Sequence, residues 1–192
     1  MAGACLAGDS GAVIFAVEML LDSTADARVR AIWRALADRG LPSPLLAAGH
    51  SPHVSLAVAD GLDVDALVPR LEALLAREPA PRVVLAHASV FGTKDGVVFL
   101  GAVATRELLE LHARCFPIFE TAAVKPWAYY RPGAWVPHCT IASGLAPEQV
   151  GQAIQICVEA GLPIEAELVG AAVVENPSGR VHARADFARA PG

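Results

Sequence analysis

The chain has no long hydrophobic run, no paired-cysteine motif, no glycine-rich phosphate loop and little charge, and each absence narrows what it can be. Its most apolar stretches, near residues 11–21 and 96–104, are about half the ~20 residues a helix needs to cross a bilayer, which excludes a membrane span. The opening MAGACLAGDSGAV has no basic residue ahead of its apolar run, so it does not read as a secretory signal, and a cytoplasmic location is expected. Cys5, Cys115, Cys139 and Cys157 are scattered without a C-x-x-C, unlike the dense frameworks of short secreted chains, and read as reduced thiols packed as small hydrophobes. Fifteen Lys and Arg stand against 20 Asp and Glu, a net charge of −5. Gripping a long nucleic-acid backbone takes a clustered basic excess, so a long nucleic acid is excluded as a partner, while a small anion needing only local donors is not. Neither G-x-G-x-x-G nor G-x-x-x-x-G-K-S/T occurs.

What is present is apolar bulk. With 54% apolar and 18% charged residues in 192, disorder is excluded, and the length suits one medium domain or two small lobes sharing a core. β-branched and aromatic residues predict a strand over 11–21. Ser23 or Thr24 caps a helix to about Arg39, with Val29, Ile32, Trp33 and Leu36 on one face and Gly40 as its stop. A strand over 53–59 precedes a helix capped by Asp63, with Val64, Leu67, Val68, Leu71 and Leu75 in one stripe. Strands over 82–91 and 96–103 form a hairpin around Gly92-Thr93-Lys94-Asp95, where Lys94 reads as a solvated charge. Thr105 caps a helix that stops near Pro117, and an aromatic loop follows over 125–135. A strand over 138–143, a helix from Pro147 to Gly161, and strands over 163–174 and 181–187 complete the chain.

The shift of 85 positions that carries His53 onto His138 also carries 11–15 onto 96–100, the helix after His53 onto the helix after His138, and 82–90 onto 167–175. The reading is an α+β fold, one bilobal domain over 1–192. An internal repeat covers about 11–95 and 96–180, and 181–187 forms a last strand. Each lobe is expected to be a small, mostly antiparallel sheet with helices on its outer face, the two related by a pseudo-twofold with the ligand cleft between them.

The chemistry concentrates in two tetrapeptides, His53-Val54-Ser55-Leu56 and His138-Cys139-Thr140-Ile141, both His–apolar–Ser/Thr–apolar. On a strand, alternate side chains share a face, so each motif offers one imidazole and one hydroxyl together while its apolar residues point into the core. If the lobes face each other, the four groups converge. One imidazole can take a proton from water and the other can deliver one to a leaving oxygen. The hydroxyls can donate to non-bridging phosphate oxygens. A third match, His87-Ala88-Ser89-Val90, falls on Ala172 under the shift and reads as a decoy of strand composition, although Phe91 on its face could border the cleft.

This pair, with Trp135-Val136-Pro137-His138-Cys139-Thr140-Ile141-Ala142 around the second copy, resembles the two-histidine phosphoesterase superfamily of 2′-5′ RNA ligase-like proteins and cyclic phosphodiesterases. The similarity in element order runs from about residue 13 to 187. The resemblance implies a two-lobed fold, with His53 as proton donor, His138 as acceptor, and Ser55 and Thr140 holding the phosphate. It implies opening of a 2′,3′-cyclic or related cyclic phosphodiester to a monoester without metal or cofactor. Many ligase-type members carry His-x-Thr-x-x-Arg, where this chain has Ser143, and its first motif has Ser for the commoner Thr. With the acidic net charge, the missing Arg argues against tRNA-half ligation.

The expected partner is therefore a small cyclic nucleotide or a short RNA end, acted on by a monomer. A catalytically idle nucleotide- or RNA-end-binding module and 2′-5′ joining by the reverse reaction are the alternatives. In the aromatic loop, Trp127, Tyr129, Tyr130 and Trp135 could stack a base, with Tyr130 and Arg131 the preferred contacts, and Phe91 could add a platform. His50-x-x-His53 and His138-Cys139 are possible zinc ligands, but zinc needs three or four converging donors, and no acidic cluster or helical H-x-x-x-H supports the set, so no metal is expected. Cys139 should face away from its neighbour His138, which excludes a Cys–His nucleophilic pair.

Overall fold

The computed structural model describes residues 13–188. Its first strand, β1 (Ile14–Leu21), leads into α1 (Ser23–Asp38) through Asp22. The Asp22 carboxylate accepts the backbone N–H groups of Thr24 at 2.9 Å, Ala25 at 3.1 Å and, from a distant strand, Glu167 at 2.7 Å. The cap is thus Asp22 rather than Ser23 or Thr24, since a full charge one residue upstream meets the first unpaired amides of the helix. Burial works against its ionised form, but the amide donors outweigh it and hold this carboxyl below the usual range. Ala25, Val29, Ile32, Trp33 and Leu36 form the buried stripe of α1, and Gly40 leaves the helix at φ 72°.

The one-turn α2 (Pro44–Ala47) is too short to leave a period in the sequence. β2 (His53–Leu62) follows, then α3 (Val64–Leu75), whose cap Asp63 accepts from the Ala66 N–H at 3.0 Å. β3 (Arg82–Val90) and β4 (Val98–Ala102) make the expected hairpin. Thr105 starts α4 (Arg106–Ala122), which runs on past Pro117. Pro117 removes one helical hydrogen bond, but Leu111, Cys115, Phe116 and Phe119 keep burying one stripe across it, and that packing carries the helix through. The aromatic loop is partly regular: β5 (Ala123–Pro126) pairs with the end of β2, and a 3-10 turn spans Ala128–Tyr130. β6 (His138–Ala142), α5 (Pro147–Glu159), β7 (Ile164–Asn176) and β8 (Arg180–Asp186) complete the α+β architecture.

The named strands pair antiparallel along one path, β5-β2-β1-β7-β3-β4-β6, with β8 also on β7. One path forms, rather than two small sheets, because the long β7 is shared: β1 takes one edge, β3 the start of the other, and β8 the remainder. Under the shift of 85, β1 falls on β4, β2 on β6 and β3 on β7, so the six central strands read as a palindrome about the β7–β3 junction. Val54, Leu56, Cys139 and Ile141 are essentially fully buried in the core shared with the helices. Alternation then fixes His53, Ser55, His138 and Thr140 on the opposite face.

Among the described residues, the motif ends of β2 and β6 each leave one edge without a strand, since β5 joins β2 only from Ala59 onward and β6 pairs only with β4. Tryptophans cover both edges. Trp135 Nε1 donates to the Ser55 carbonyl at 2.9 Å, and Trp33 Nε1 to the Thr140 carbonyl at 3.2 Å. Each motif strand is thereby fastened by an indole from the other half of the chain. Among the described residues, no helix is long and apolar enough to cross a membrane.

Candidate active site

His53 and His138 are each the first residue of their strand, and each follows a proline, Pro52 or Pro137. Proline restricts the residue before it to extended conformations, which fixes the run into each strand. His53 Nδ1 lies 2.7 Å from the Ser51 carbonyl, and His138 Nδ1 lies 2.7 Å from the Val136 carbonyl, two residues upstream in both cases. A carbonyl can only accept, so each Nδ1 carries hydrogen and proton exchange falls to Nε2. The repeated signal in the sequence is therefore Pro-His-x-Ser/Thr. The prolines were a legible part of it that the tetrapeptide pattern alone leaves out.

His53, Ser55 and Thr140 line one narrow cavity together with Glu18, Tyr130 and Asn176. At about 20 Å³ it holds roughly one water. Asn176, 4% exposed, has no hydrogen-bond partner for its Oδ1 there. Leu45 lines this cavity and also a larger one of about 550 Å³, bounded by His50, Lys94, Ser143 and Pro177. A volume of that size suits a small-molecule ligand. The larger cavity includes Ser143, the first residue after β6.

The two imidazoles have different neighbours. Glu18, on β1, brings Oε2 to 3.3 Å from His53 Nδ1, both side chains being buried. Around His138, Phe91 and Phe99 stack on each other at 4.2 Å and turn toward the imidazole with centroids at 4.9 and 5.2 Å. His50 sits 6.3 Å from His53, ring to ring. Burial pushes the His50 pKa below the ordinary imidazole value, with Glu18 opposing and His53 adding to the depression.

The other expected contacts divide. Tyr130 is buried and lines the cavity with His53, Ser55 and Thr140, and Phe91 packs against His138. Arg131 instead points toward Glu120, 3.5 Å away at the surface. Cys139 is fully buried on the core side, as alternation requires. Burial raises the Cys115 and Cys157 thiols to about 12 and about 11, which leaves them inert as nucleophiles, while Cys5 lies outside the described residues. Among the described residues, no group of three or more His, Cys, Asp or Glu converges as metal ligands would. Glu18, Asn176 and the edge-covering role of Trp33 leave no local signal in the sequence, because register and long-range packing bring them to the site.

His53, Ser55 and Thr140 thus meet at one cavity, and His138 stands two residues before Thr140 on the same face of β6. A family model described as the 2′-5′ RNA ligase superfamily matches residues 21–180, and the chain belongs to that superfamily. Membership supports an enzyme of the phosphodiesterase type. Among solved structures, the chain is similar to that of Kluyveromyces marxianus Usb1, at 14% identity and a TM-score of 0.48, covering 94% of this chain and 100% of that one. No curated protein matches the sequence.

Proposed function

We propose that the protein is a metal-independent phosphodiesterase that opens a 2′,3′-cyclic, or related cyclic, nucleotide phosphodiester to a monoester. The observation that carries this reading is the matched pair of Nδ1 contacts, both 2.7 Å, which leaves each histidine to exchange protons through Nε2 on the cleft face. In this mechanism His138 Nε2 takes a proton from water as the water oxygen bonds to phosphorus. The bond from phosphorus to one ribose oxygen breaks, and His53 Nε2 delivers a proton to that oxygen. Both rings have then exchanged one proton, and solvent restores them. Ser55 and Thr140 hydroxyls donate to the non-bridging oxygens, where negative charge builds in the transition state. The cavity of about 550 Å³ beside the motifs offers room for the nucleoside, with Tyr130 bordering the phosphate end.

The substrate is then a small cyclic nucleotide or a short RNA end. Ser143 and the net charge of −5 speak against 2′-5′ joining of tRNA-sized partners, and a purely binding module has no need of two ordered proton carriers. Phosphorus NMR with excess EDTA and the four nucleoside 2′,3′-cyclic monophosphates tests the reading. Monoester should accumulate with the wild-type protein and not with His53→Ala or His138→Ala. Activity that survives both substitutions would remove these histidines from the mechanism.

A further inference from the structure

The third imidazole–hydroxyl pair, His87 and Ser89, stands in register with the second. On β3 and β4, His87 is opposite Gly101 and Ser89 is opposite Phe99. On β4 and β6, Gly101 is opposite His138 and Phe99 is opposite Thr140. Directly opposed residues project from the same face of an antiparallel sheet, so His87 and Ser89 share the face of His138 and Thr140, two strand spacings or about 9.5 Å away. The reading of this copy as a decoy looked for its mate along the repeat, at Ala172. The mate lies across the sheet instead.

The residue between the two histidines is a glycine, and the space it leaves is used. A Cβ on Gly101 would lie 2.3 Å from His87 Nε2 and 2.5 Å from its Cε1. The His87 ring therefore lies over the bare backbone of β4, leaning toward the row of His138. It is also exposed, whereas His53 and His138 are 6% and 5% exposed. A ligand held at the second motif meets this ring as soon as it extends across β4.

We propose that His87 and Ser89 form a subsite for a second phosphate group, which makes the preferred substrate a short oligonucleotide end rather than a mononucleotide. This rests on the phosphodiesterase reading above. A mononucleoside 2′,3′-cyclic phosphate has its single phosphate at the two motifs and nothing anionic to offer His87. An oligonucleotide carries its next phosphodiester beyond the terminal ribose, where an imidazole N–H and a hydroxyl can donate to its oxygens. Two donors suit a short end and do not amount to the basic track a long backbone needs.

The test compares uridine 2′,3′-cyclic phosphate with the UpU dinucleotide bearing a terminal 2′,3′-cyclic phosphate. Wild-type kcat/KM should favour the dinucleotide by about tenfold or more. His87→Ala should bring that ratio toward one, mainly through KM, and His87→Gln, which keeps an N–H donor, should retain part of it. A ratio unchanged in His87→Ala overturns the subsite. If the wild-type protein turns over neither compound, the phosphodiesterase reading fails by itself and calorimetry decides the subsite. UpU 3′-monophosphate should then bind more tightly than uridine 3′-monophosphate to wild type, and lose that advantage in His87→Ala. Equal discrimination by both proteins would overturn it.

Discussion

Glu18 Oε2 lies 3.3 Å from His53 Nδ1 inside the protein, beside the hydrogen bond that Nδ1 directs at the Ser51 carbonyl. Glu18 stands opposite Ser55 in the β1–β2 register, and Phe99 stands opposite Thr140 in the β4–β6 register. Equivalent places in the two halves thus hold a carboxylate and a phenyl ring. A carboxylate this close to the imidazole can hold the ring in its orientation.

Glu18→Gln keeps the shape and removes the charge. It should lower kcat/KM by at least about tenfold. Removing one partner of a buried pair leaves the other uncompensated, so the melting temperature should also fall. Steady-state kinetics beside a thermal melt measures both. Full activity in a normally folded variant would deny Glu18 any part in positioning His53.

The hydroxyls give a second, sharper expectation. If Ser55 and Thr140 donate to the developing charge on phosphate, Thr140→Val and Ser55→Ala should each lose about 10²–10³ in kcat, with KM moving less. Ser55→Thr restores the hydroxyl on the same strand face and should recover most of the activity. A Thr140→Val protein with wild-type kcat would reduce Thr140 to an ordinary strand residue.

Alternation explains why the motifs were legible. A His and a hydroxyl two residues apart must share a strand face, and Val54, Leu56, Cys139 and Ile141 supply the buried side that fixes which face. Helix caps and stripes were legible for the same local reason at Asp63, Thr105 and the face of Trp33. Pro117 misleads, because the packing of Phe116 and Phe119 outweighs one missing hydrogen bond. β5 is hidden inside an aromatic loop because only its partner, the end of β2, makes it a strand. Glu18 is invisible for a different reason. It reaches His53 through strand pairing at a register shift between Val17 and Glu18, and no sequence period records a bulge. His87 shows the limit of reading by repeat, since its neighbour in space is set by the sheet and not by the duplication.

Trp135 offers a test of how the motif strand is held. Its indole N–H donates to the Ser55 carbonyl at 2.9 Å, and its ring stacks on His112 at 4.0 Å with planes 6° apart. Trp135→Phe preserves an aromatic ring but leaves that carbonyl without its indole donor, at a cost of about 1–3 kcal/mol. Urea unfolding should show the loss, and kcat should fall with it because Ser55 sits on the loosened edge. An unchanged midpoint would mean that the strand does not depend on this indole.

His112 is expected to set the acid limit of stability. Its ring is 2% exposed, with Nε2 donating to the Leu56 carbonyl at 3.2 Å. Burial pushes its pKa below the ordinary value, although hydrogen bonds to the backbone of Leu56 and Tyr130 pull the other way. The unfolded chain, with an imidazole near 6.5, therefore binds a proton before the folded one does. Stability is complete above about pH 6.5 and is lost as pH falls from there toward the folded value, at up to about 1.4 kcal/mol per pH unit for one histidine. His50, shifted the same way by its own burial, adds to the slope. Urea unfolding at pH 7.5 and 5.5 should show a clear drop for wild type. His112→Phe, which keeps a ring against Trp135 but cannot titrate, should show a smaller drop. An equal drop in the two proteins would mean that another group sets the acid limit.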